Sequence, residues 1–116
     1  MDPPLREIWK LRAVKPYDQA HTHLLVGRVL QRDPMAVKLL CRSFHFGRVV
    51  SGPRDINVGE IATRVIPWTR IEIINVLPES FDFKGARVTL DKRGHVVYSD
   101  GHAACVLVTI GQHQAF

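Results

Sequence analysis

The stretch Gly27-Arg28-Val29-Leu30-Gln31-Arg32-Asp33-Pro34-Met35-Ala36-Val37-Lys38-Leu39 reads as the end of one strand, a turn and the start of another. Upstream, His23 to Gln31 is apolar on both faces and interrupted by one arginine, as in a strand covered on two sides. Downstream, Met35, Val37, Leu39 and Cys41 alternate with Ala36, Lys38, Leu40 and Arg42, the pattern of a half-buried strand. Further along, Ile61–Ile66 and Ile71–Leu77 are two more strands. Pro67-Trp68-Thr69-Arg70 separates them too briefly for anything but a tight corner. Residues 51–59 carry Ser, Gly, Pro, Asp and Asn, and form a loop.

The C-terminal third reads as a small meander. Ala86–Leu90 leads into the turn Asp91-Lys92-Arg93-Gly94, His95–Tyr98 follows, and Asp100-Gly101 turns the chain into a strand from Ala103 to Ile110. At the other end, Asp2 can cap a helix and Pro3 and Pro4 suit its first turn. Leu5, Ile8, Trp9 and Ala13 fall on one face at helical spacing, and Pro16 stops the helix around Val14. Trp9 is then an anchor into the core, and a first strand is only weakly outlined near Lys15 to Thr22. The expected fold is mostly β: an N-terminal helix, a bent small barrel over residues 1–80, and a β-meander extension over 81–116 packed on the same domain.

At 116 residues, 46% hydrophobic and 23% charged, the composition is that of one globular domain, too apolar for disorder. No apolar run reaches the roughly 18 residues a spanning helix needs. Met1-Asp2-Pro3-Pro4 lacks the charge and apolar pattern of an export signal, so no membrane association and a cytoplasmic location are expected. Cys41 and Cys105 match no metal or redox spacing and read as buried thiols in a reducing compartment.

The net charge of +5 comes from the middle of the chain. Residues 28–70 hold eight Lys or Arg, seven of them arginine, against Asp33, Asp55 and Glu60. Arginine's planar fork suits phosphate better than lysine does. The same excess could equally be a solvated strand face, because charge speaks of partners rather than of fold.

Residues about 4–78 resemble the Sm/LSm superfamily, which includes the bacterial RNA chaperone Hfq. The first Sm motif has a glycine in a bent strand, a hydrophobic residue two positions later, an aspartate six after the glycine, and alternating apolar residues beyond. Gly27, Val29, Asp33, Met35, Val37 and Leu39 fill those places. Ile61 to Leu77 resembles the second motif of strand, corner and short strand. The resemblance implies a curled barrel that assembles into a ring through edge strands, with the corner facing the pore. It departs from the RNA-binding pattern at Val37, where an asparagine grips a base, and at Pro67-Trp68, where an Arg-Gly or basic-histidine pair is usual. The family's uridine pocket is therefore not carried over.

Candidate RNA contacts remain. Trp68 beside Arg70 can stack a base and hold its phosphate, with Thr69 adjacent; Met35 is a further candidate, and Arg42, Arg48 and Arg54 lie near the long loop. The alternative is that Trp68 plugs the space beneath the C-terminal meander. His21 and His23 would share one face of an extended chain, and a metal would need His45, His95 or His102 as third ligand. With no acid or cysteine at ligand spacing, no metal and no cofactor are expected. No nucleophile, phosphate-loop or nucleotide motif appears, and Asp33 is expected to accept backbone hydrogen bonds at its turn rather than act as a base. The expectation is a non-enzymatic, Sm-like homo-oligomer binding single-stranded RNA or another polyanion. Its alternative is a structural or adaptor oligomer without RNA.

Overall fold

The computed structural model describes residues 6–109. Eight strands run β1 (Ile8–Ala13), β2 (Thr22–Arg32), β3 (Ala36–Phe46), β4 (Asn57–Pro67), β5 (Ile71–Leu77), β6 (Arg87–Leu90), β7 (His95–Ser99) and β8 (Ala104–Thr109). Single 3-10 turns at Pro53–Asp55 and Trp68–Arg70 precede β4 and β5. The first five strands form one antiparallel sheet in the order β4-β3-β2-β1-β5, and the last three form a second, β6-β7-β8.

Two parts of the expected fold are overturned. Where residues 2–14 were read as a helix, the described part from Ile8 to Ala13 is a strand. Its earlier turn, including Leu5, lies outside the described residues. β1 sits between β2 and β5, and one core packs on each of its faces. Ile8, Trp9 and Leu11 are buried on alternating sides, and that doubled apolar pattern imitates helical spacing. The first strand therefore lies before Pro16, and Lys15 to His21 is a turn-rich link. Nor does the five-stranded sheet close into a barrel. The corner Trp68–Arg70 sends β5 to pair with β1 at Ala13↔Ile71, while β4 pairs with β3 at Ala36↔Pro67. The two strands end on opposite margins of the sheet.

Each face of the large sheet has its own core. One packs Ile8, Leu24, Val26, Phe44 and Phe46 against Phe81, Phe83, Val96, Tyr98 and Leu107 of the following segment and second sheet. The other gathers Trp9, Leu11, Leu25, Val29, Val37, Leu39, Cys41 and Ile66 from four strands of the same sheet, with Trp68 and Ile71 against them. Among the described residues no second sheet covers that face, and the large sheet bends around its own side chains. Register shifts at Arg12/Ala13, Val29/Gln31 and Arg42/Phe44 supply the bend. Gly27 permits it: a Cβ there would lie 2.0 Å from the Leu40 carbonyl oxygen and 2.5 Å from Cys41 Cα.

Arg42 and Tyr98 fasten the two sheets. The Tyr98 hydroxyl donates to the Phe83 carbonyl and accepts from Arg42 Nε at 2.8 Å, while the Arg42 fork also donates to the carbonyls of Gly59 and Lys84. A buried phenol and a guanidinium are thereby both satisfied inside an otherwise apolar layer.

Candidate functional site

The turn after β2 and the corner after β4 are clamped together. Asp33 Oδ1 accepts the N–H groups of Met35 and Ala36, each at 2.8 Å, which is the turn role expected of it. The Trp68 N–H donates to the Met35 carbonyl at 3.1 Å, and the indole Nε1–H donates to the Asp33 carbonyl at 2.7 Å. Met35, Trp68, Thr69 and Arg70 thus share one corner of the molecule. Met35 is 78% exposed, and Thr69 and Arg70 are exposed beside it. Trp68 is half-buried. Its ring lies 6.3 Å from that of Trp9, on the face of the sheet opposite the C-terminal meander, so the alternative placement beneath the meander is replaced by a plug against Trp9. Arg32 lies over the Trp9 ring at 5.8 Å and within 4.0 Å of Glu7.

The remaining candidates are elsewhere. Arg42 is turned inward to Tyr98, Arg54 is exposed on the 3-10 turn before β4, and Arg48 lines a cavity between the two sheets. Arg64, on β4, is also internal and donates to the carbonyls of Cys41 at 2.7 Å and Glu60 at 3.2 Å. The arginine excess is therefore divided between internal fastening and outward display.

Lys10, Arg12 and Lys15 join Arg48 around that cavity, and none of the three stood out in the sequence. The signal was present but obscured: read as a strand, Lys10 and Arg12 fall on one face, whereas a helical reading of the segment separates them.

His23 and His45 face each other across β2 and β3, with rings stacked at 4.0 Å. Burial, then the neighbouring His45 and Arg64, hold His23 below the usual imidazole range. Burial, then His21 and Arg64, do the same to His45. His23 Nε2 is buried without a hydrogen-bond partner among the described residues. No three His, Cys, Asp or Glu side chains among those residues are placed to hold a metal. Both cysteines are free and buried. Burial pushes the Cys105 thiol up to about 11 and also raises that of Cys41. No helix among the described residues is long and apolar enough to cross a membrane.

No protein-family model matches the chain, and no curated protein or solved structure matches it.

Proposed function

We propose that the chain is a non-enzymatic, Sm-like subunit of a homo-oligomeric ring that binds single-stranded RNA at the corner formed by Met35, Trp68, Thr69 and Arg70. The observation that carries this reading is the pair of unpaired sheet margins. β4 and β5 leave one edge each without a partner among the described residues, and they expose Val58, Val65, Ile73 and Val76. Open apolar edges are templates for pairing with another chain. Pairing β4 of one copy with β5 of the next satisfies both margins and repeats indefinitely or closes as a ring. A ring also answers the weakness of a single corner. One arginine and one half-buried tryptophan grip little alone, but several copies engage the same strand at high effective concentration.

A second reading, an adaptor oligomer without RNA, is favoured by two observations. The Trp68 indole N–H is already taken by Asp33, and Val37, where RNA-binding relatives of the Sm type carry a base-gripping asparagine, is fully buried. Mass measurement in solution with and without ribonuclease tests both. The RNA reading expects an oligomer that loses mass on ribonuclease treatment. It also expects a log–log salt slope for RNA affinity of about −0.7 per phosphate contacted, flattened in Arg70→Gln. An oligomer that binds no RNA at low salt leaves the adaptor, and a monomer overturns both.

A further inference from the structure

The cavity between the two sheets has a volume of about 460 Å³, within the range of small-molecule sites. Its charge is one-sided. Lys10, Arg12, Lys15 and Arg48 line it against a single acid, Glu72, which lies 3.6 Å from Arg12. Three elements deliver these cations: β1 presents Lys10 and Arg12 from one face, the link after it brings Lys15, and the loop after β3 brings Arg48. Phe46 at the end of β3 and Val106, Leu107 and Val108 of β8 add apolar lining.

Lys10 is the deepest of the four. It is half-buried, its Nζ donates to the Val106 carbonyl at 2.8 Å, and desolvation lowers its pKa from the ordinary lysine value. A strand position facing a packed layer is an expensive place for an ammonium. One carbonyl satisfies one of its three protons and supplies no counter-charge. Gathering further cations around it adds like-charge repulsion, and an anion removes both costs at once.

We infer that this cavity is a binding site for a small organic phosphate monoester, whose dianionic head is held by Lys10, Lys15 and Arg48 and whose organic part lies on Phe46, Val106 and Val108. With Glu72 set against Arg12, three cations remain, and a dianion offsets two of their charges. A bare inorganic ion would leave the apolar lining unused. The site opens on the face of the large sheet opposite Trp68 and stands whether or not that corner binds RNA.

Calorimetric titration with adenosine monophosphate, inorganic phosphate and a 5′-hydroxyl oligoribonucleotide tests the inference. The parent protein binds the nucleotide more tightly than inorganic phosphate. Arg48→Gln, an exposed loop position, weakens that binding at least about tenfold, the scale of one charge-assisted hydrogen bond. Lys10→Met, which retains the buried stem, weakens it further, and Lys38→Gln, at the opposite end of β3 from Phe46, changes it less than about twofold. Because Lys10→Met could disturb packing, its melting temperature is compared with the parent's, and Arg48→Gln alone decides the matter if the fold is lost. Absence of nucleotide binding by the parent, or binding that Arg48→Gln leaves unchanged, overturns the site. If the 5′-hydroxyl oligoribonucleotide displaces the nucleotide and Arg48→Gln weakens both, the small-molecule assignment fails and the cavity belongs to an RNA backbone.

Discussion

Gly27 is where a single side chain most directly limits the fold. β3 passes so close that any Cβ meets backbone atoms, and backbone cannot rotate aside as a side-chain tip can. Gly27→Val is therefore expected to destabilise the protein by about 2–3 kcal/mol or more, measured by chemical denaturation. Gly52→Ala is the control. Gly52 is extended, and an added Cβ has nothing within 4 Å, so its midpoint should stay unchanged or rise slightly. Equal midpoints for the two variants would mean that β2 and β3 are not pressed together at Gly27. The glycine and Asp33 were both legible in the sequence, because a tight approach and a turn acceptor each demand a particular residue type. Trp68 was legible only as a corner residue. A tryptophan beside proline can stack a ligand or fill a gap, and the neighbour that makes it a plug, Trp9, is 59 positions away in the chain.

At the scale of elements, β3 followed from alternation, and β5 and the meander strands from apolar runs set between turn residues; β4 begins at Asn57, inside the stretch read as a loop. β1 did not follow, since apolar residues on both faces of a central strand imitate a helical stripe. The same cross-strand register produces a pH response. His23 and His45 stack directly opposite each other, with His21 and Arg64 also facing them, and burial disfavours the protonated form of both. In the unfolded chain each imidazole returns to about 6.5. As pH falls through that value the unfolded state takes up protons first, so stability holds above neutrality and declines towards the lower folded-state values. The denaturation midpoint should accordingly drop between about pH 7.5 and 5.5, and drop less in His23→Gln. Asp100, held at about 2 by the N–H groups of Asp82, Ala103 and His102, titrates on the acidic side of this window. A midpoint that is flat or rises on acidification would show that the pair carries no desolvation penalty.

For the whole molecule, the deciding feature is a sheet with two cores. Its outer face is joined to the second sheet through Arg42 and Tyr98, and its inner face is covered by its own curvature, leaving β4 and β5 as bare margins. Val65, on β4, is 63% exposed there. Val65→Lys places a charge on that margin, a common device against edge pairing. In sedimentation experiments it should shift the proposed assembly to monomers while leaving the monomer's thermal stability within about 0.5 kcal/mol of the parent. An assembly that survives this change would place the contact elsewhere. By itself the sequence determined the β-rich character, the bent glycine, the turn at Asp33 and the excess of arginine, because each depends on local periodicity or on one residue's chemistry. Only the tertiary structure decided which arginines face inward, that the first segment is a strand, that the sheet stays open, and that Lys10, Arg12, Lys15 and Arg48 meet around one cavity. Those outcomes depend on which face of a strand is covered and by what, and strands distant in the chain supply the cover.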